Sequence, residues 1–164
     1  MDKYYLAVKA FIKIRDLPYH ISIQGEEGYD CGDKTKKLIL ELKQLGISGR
    51  IRICFFQWST LGLPKIVTKI NHDNECSHCF TEIKNAKGEW IFVDPTWNKN
   101  LEKAGFEIAN WDGVNPTALA VKCDKILSPE DSIKYMEQID CEEDLVKNGN
   151  FYDAINKYCD SFLN

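Results

Sequence analysis

Cys31, His78 and Asp94 are the residues whose types and spacing suit one piece of chemistry. Cys31 sits in Gly28-Tyr29-Asp30-Cys31-Gly32-Asp33-Lys34, directly ahead of a stretch from Lys34 to Leu45 with helical spacing. There Leu38, Leu42 and Leu45 share a face, Ile39 lies beside them, and Gly46 is a natural stop. A helix N-terminus lowers a thiol pKa through its unpaired N–H groups and partial positive charge, and the thiolate is the nucleophilic form. Gly28 and Gly32 would let a substrate backbone approach closely. Taken alone, the same stretch suits a buried cysteine at a loop–helix junction equally well.

The second and third residues fall in a β-hairpin, Ser77 to Lys84 and Glu89 to Asp94, turning at Asn85-Ala86-Lys87-Gly88. Side chains alternate along strands, so His78, Phe80 and Glu82 share one face, as do Trp90, Phe92 and Asp94. A three-residue loop pairs Asn85 with Glu89 and therefore Phe80 with Asp94. His78 and Asp94 are then diagonal neighbours on a common face. A register slip of two keeps that face, and a slip of one destroys it. Such a pair equips a thiol: His78 takes the Cys31 proton and returns it to the leaving group, while Asp94 orients the imidazole and stabilises its charge.

With these residues in place the chain resembles the transglutaminase-like superfamily, in three blocks over about residues 28–97. The first runs from Gly28-Tyr29-Asp30-Cys31-Gly32-Asp33-Lys34 through Leu45-Gly46-Ile47-Ser48-Gly49-Arg50. The second is Ser77-His78-Cys79-Phe80-Thr81-Glu82-Ile83, and the third Gly88-Glu89-Trp90-Ile91-Phe92-Val93-Asp94-Pro95-Thr96-Trp97. The resemblance implies a papain-like α+β core with Cys31 at a helix start packed on an antiparallel sheet. It also implies a thioester intermediate on an amide, peptide or protein substrate, and no cofactor. Water as acceptor gives hydrolysis, the expected outcome, and an amine gives cross-linking. Gly32 stands where animal cross-linking members carry tryptophan. The natural oxyanion donors are the Cys31 backbone N–H and the Gln24 side chain, although an exposed loop polar accounts for Gln24 as well. A non-catalytic binding module of the same fold is the alternative, but binding alone needs none of the three residue types.

Other readings attach to nearby residues. His72, Cys76 and Cys79 are a candidate zinc set, but no second C-x-x-C follows, and His78 and Cys79 point to opposite strand faces; the expectation is no metal. Cys76 shares the parity of His78, so its thiol is a candidate for reversible pairing with Cys31 or Cys79. Trp58 and Trp97 are candidate cleft walls, and buried aromatic packing explains them equally well.

The elements around these residues read as one α+β domain over 1–164, with a C-terminal helical extension over about 128–164. A helix is expected over 2–14, a strand over 51–58, and a loop over 59–74 with a possible short strand at 66–70. An edge strand is expected over 118–121. Helices are expected over 129–139, after an N-cap Ser128 and Pro129, and over 152–162 beyond a break at Asn148-Gly149-Asn150. The apolar and charged fractions, 44% and 28%, are those of an ordinary globular protein. A net charge of −4 offers no basic surface for nucleic acid. No apolar run approaches the roughly 18 residues of a membrane span. The seven cysteines are scattered, and the opening Met1-Asp2-Lys3-Tyr4-Tyr5 lacks a charged-then-apolar layout, so reduced thiols and a cytoplasmic location are expected.

Overall fold

The structure is a computed structural model that describes residues 2–23 and 28–163. Helix α1 (Lys3–Arg15) starts where Asp2 accepts a hydrogen bond from the Tyr4 N–H at 3.0 Å. Helix α2 (Cys31–Gln44) begins at Cys31 itself, three residues before the expected start. The earlier start is set by Asp30, whose carboxylate accepts from the Asp33 N–H at 3.0 Å and so outweighs the helix cost of Gly32. Gly46, at φ 66°, ends this helix as the spacing predicts.

Strands β1 (Gly49–Gln57), β2 (Glu75–Lys84), β3 (Trp90–Val93) and β4 (Lys125–Ile126) form one antiparallel sheet in the order β3-β2-β1-β4. The hairpin has the expected register. Thr81 pairs with Val93 and Lys84 with Trp90, and the Asn85 N–H donates to the Glu89 carbonyl at 2.9 Å. The architecture is α+β, with two apolar clusters on the sheet. In one, Ile83 and Val93 meet Phe11 of α1 and Leu38 and Leu42 of α2. In the other, Cys54, Phe56 and Phe80 meet Trp58, Trp97, Phe151 and Ile155. The alternation of strand side chains thus divides the core.

Several segments differ from expectation. Residues 65–68 form a short helix, α3 (Lys65–Thr68), behind Pro64, where a strand at 66–70 was the option considered. Residues 118–121 are not a strand, because their backbone groups serve side chains instead of a ladder. The Ala120 N–H donates to Asp94 at 2.7 Å, and the Ala120 carbonyl accepts from Trp97 Nε1 at 2.8 Å. The sheet edge is β4, a few residues later. Helix α4 (Pro129–Gln138) has the expected Ser128 cap. Helix α5 (Cys141–Asp160) runs through Asn148-Gly149-Asn150 without a break. Asn148 is compatible with the helix because its amide donates to Asp144 one turn back, at 2.9 Å, while its oxygen accepts from the Asp73 N–H at 2.9 Å. No described helix is long and apolar enough to cross a membrane.

Cys54 and Cys123 form a disulfide, which departs from the expectation that the thiols are all reduced. Cys31, Cys76 and Cys79 are free thiols.

Candidate active site

Cys31 occupies the first position of α2, where its backbone N–H has no acceptor within the helix. His78 lies near the start of β2, directly across from Cys54 of β1, and is 3% exposed. Asp94 follows the last residue of β3 and is 1% exposed. His78 Nε2 meets Asp94 Oδ2 at 2.7 Å. That contact leaves Nδ1 free for a second partner, and the Cys31 thiol is close enough to the same imidazole for each group to shift the other's pKa. The structure therefore brings all three sequence-selected residues together at the predicted hairpin face.

Asp94 is fully engaged. Oδ2 also accepts from the Ala120 N–H at 2.7 Å, and Oδ1 accepts from the Thr96 hydroxyl at 2.6 Å and the Thr96 N–H at 3.1 Å. Burial would raise its pKa, but the His78 charge and hydrogen bond, with the Thr96 and Ala120 bonds, hold it below the ordinary value. Burial alone would lower His78. The Asp94 charge and hydrogen bond, with Cys31, reverse that and bring it up to about 10. Burial pushes the Cys31 thiol up to about 11, against the lowering pull of His78. The thiol therefore lies above its ordinary value, with burial the largest cause.

Cys31 and His78 open onto a cleft of about 190 Å³, with Asp94 buried beside His78. Trp58 and Trp97 both line it, and both are also core residues. The Trp97 indole is spent on the Ala120 carbonyl. Cys76 lines the cleft too, with its thiol donating to the Ser77 carbonyl at 3.5 Å and pushed up to about 12, by burial first and the Asp144 charge second. His72 stacks on Phe151 at 3.7 Å with Nδ1 on the Ile70 carbonyl, apart from Cys79, which faces the other side of β2 from Cys76. Among the described residues no group of three His, Cys, Asp or Glu is arranged to hold a metal ion. Gln24, the side chain considered as an oxyanion donor, lies outside the described residues.

Gly28 has a different use from the one expected. A Cβ there would collide with the His20 carbonyl oxygen, so the glycine lets residues 20–22 run against the Cys31 loop. Sequence reasoning missed two residues. Lys34, 0% exposed, donates from Nζ to the carbonyls of Arg15 and Thr96, each at 2.8 Å. Burial lowers it to about 7, with the Asp16 and Asp94 charges opposing. The signal was available, because three residues after Cys31 is the same helix face. Tyr19 lines the cleft and is 5% exposed, and nothing in its local sequence marks it. No family model, no curated protein and no solved structure matches this chain.

Proposed function

We propose that this protein is a thiol-dependent acyl-transfer enzyme of the transglutaminase-like, papain-like type. It attacks an amide or peptide bond through a Cys31 thioester, with water as the usual acceptor. One observation carries the reading: a helix-start cysteine and a buried carboxylate both act on one imidazole, with the thiol and the ring lining a cleft.

The reactive form holds a single proton between sulfur and ring, and the Asp94 charge increases the ring's share of it. The Cys31 thiolate then adds to the carbonyl carbon, and the His78 imidazolium returns its proton to the leaving nitrogen. Water activated by the now neutral His78 releases the acid and restores the thiol. The four hydrogen bonds on Asp94 keep the ring from turning during both steps.

The test uses intact mass and product analysis on wild type, Cys31→Ala and His78→Ala. Each is incubated with peptide amides and γ-glutaminyl compounds, with and without a primary amine. An acyl adduct on Cys31 and acid product in wild type alone are expected. Amine-linked product in preference to acid would move the enzyme to the cross-linking class. Full turnover by Cys31→Ala, or no adduct on wild type with any acyl donor, would overturn the reading and leave a binding module of the same fold.

A further inference from the structure

An acyl-transfer site needs hydrogen-bond donors where the carbonyl oxygen gains charge. The Cys31 N–H, at the first position of α2, supplies one. A second has to come from the cleft wall. Four tyrosine and tryptophan donors line that wall: Tyr19, Trp58, Trp97 and Tyr152. The other three have partners to hand. Trp97 Nε1 donates to the Ala120 carbonyl at 2.8 Å, the Tyr152 hydroxyl donates to Asp144 at 2.9 Å, and the Trp58 side chain is close enough to the Cys76 thiol to lower its pKa. Among the described residues the Tyr19 hydroxyl has no hydrogen-bond partner, although the residue is buried.

Tyr19 is held as firmly as a strand residue. Its N–H donates to Asn98 Oδ1 at 3.0 Å, and its ring meets Trp97 edge to face at 4.6 Å. Two residues on, Asn156 of α5 clasps Ile21 through both its N–H (2.8 Å) and its carbonyl (2.9 Å). The missing side chain of Gly28 then lets this segment lie against the loop that carries Cys31. Tyr19 lines the same cleft as Cys31, where a substrate oxygen can meet its hydroxyl.

We propose that the Tyr19 hydroxyl is the second oxyanion donor, acting with the Cys31 N–H on the carbonyl oxygen of the substrate. The assignment rests on the acyl-transfer reading above. Burial first, and the Cys31 charge second, hold the phenol well above its ordinary value, so it donates throughout the working pH range. In the step it serves, a sulfur electron pair forms the C–S bond and the carbonyl π pair moves onto oxygen. Tyr19 hydrogen-bonds that oxygen and keeps its own proton. The pair then returns as the bond to the leaving group breaks.

Tyr19→Phe tests this cleanly, because among the described residues the hydroxyl holds no bond whose loss would disturb the fold. Two probes are used on the full chain. p-Nitrophenyl acetate acetylates Cys31 through an oxyanion, expelling p-nitrophenolate, whereas iodoacetamide alkylates Cys31 by direct displacement with no oxyanion. The expected result is a fall of about 10²- to 10³-fold in acetylation. Alkylation should stay within about twofold and the thermal unfolding midpoint should be unchanged. Unchanged acetylation would overturn the assignment, and so would an equal fall in both rates, which would mean that Tyr19 places the thiol. If wild type is not acetylated on Cys31 at all, the acyl-transfer reading itself fails, a result separable from the failure of Tyr19 alone.

Discussion

Lys34 Nζ reaches the Thr96 carbonyl at 2.8 Å, which ties the helix carrying Cys31 to the segment carrying Asp94. A closed circuit results. Cys31 and Lys34 lie one turn apart on α2, Lys34 holds Thr96, Thr96 holds Asp94, Asp94 holds His78, and His78 meets Cys31. Lys34→Met keeps the apolar stem but leaves the Arg15 and Thr96 carbonyls without their donor. Each buried acceptor so orphaned costs about 1–3 kcal/mol, partly offset because a desolvated cation is gone. At about 2–4 °C per kcal/mol for a chain of this size, the melting temperature should fall by several degrees. Acetylation of Cys31 should fall by roughly tenfold or more as Asp94 drifts. NMR titration should show His78 moving down toward its ordinary range. A stable variant with an unmoved His78 would reduce Lys34 to a packing residue.

The hairpin was legible because period-2 alternation and a glycine-ended turn together fix which side chains share a face, and His78 and Asp94 needed nothing more. The start of α2 at Cys31 was legible in principle from Asp30 and Asp33 at capping distance, but the Gly32 penalty hid it. Residues 117–121 were not legible. Their order comes from Asp94, Trp97 and Phe92, all distant in sequence, and no local pattern encodes such bonds. Nor could a sequence show that Tyr19, carried on an irregular segment, lines the same cleft as Cys31, since Asn98 and Asn156 hold that segment.

The pH dependence follows from the burial of the pair. Cys31 is pushed up to about 11 and His78 up to about 10, so near neutrality the thiol keeps its proton. Alkylation of Cys31 by iodoacetamide should climb steadily from pH 7 toward 11, because the thiolate is the reacting form. His78→Ala removes both influences that lower the thiol, so the rate at any fixed pH should drop and the rise should shift to higher pH. A rate already level at pH 6 would mean that the helix start dominates over burial, contrary to this account.

The Cys54–Cys123 disulfide is placed to steady the same site. Cys54 stands directly across from His78 in the β1–β2 ladder, and Cys123 lies three residues past Ala120, which binds Asp94. Closing a loop across a separation of 69 residues stabilises the fold by on the order of 4 kcal/mol in the chain-entropy picture. Cys123→Ser should therefore lower the melting temperature by about 10 °C and slow acetylation of Cys31 by loosening the Ala120 contact. Dithiothreitol should do the same to wild type and nothing further to the variant. A wild type whose mass and melting point ignore reductant would rule this role out.

The charge of the cleft bears on what it admits. Asp30 and Asp144 line it, and no lysine or arginine is among its described lining residues. Among the described residues Asp144 accepts hydrogen bonds from neutral donors, Tyr152 at 2.9 Å and Asn148 at 2.9 Å, so its charge is dispersed but not cancelled. The remaining wall is apolar, with Ile21, Ile53, Val121 and Met136. An anionic acyl group would lose its hydration there and meet like charge, a cost of a few kcal/mol in a partly desolvated site. Neutral or cationic amides should therefore exceed matched anionic ones by about tenfold or more in kcat/KM. Asp144→Asn, which keeps the Tyr152 and Asn148 contacts available, should narrow that ratio chiefly through KM while leaving iodoacetamide alkylation of Cys31 unchanged. Equal turnover of matched neutral and anionic amides by wild type would show that the acyl group does not approach Asp144.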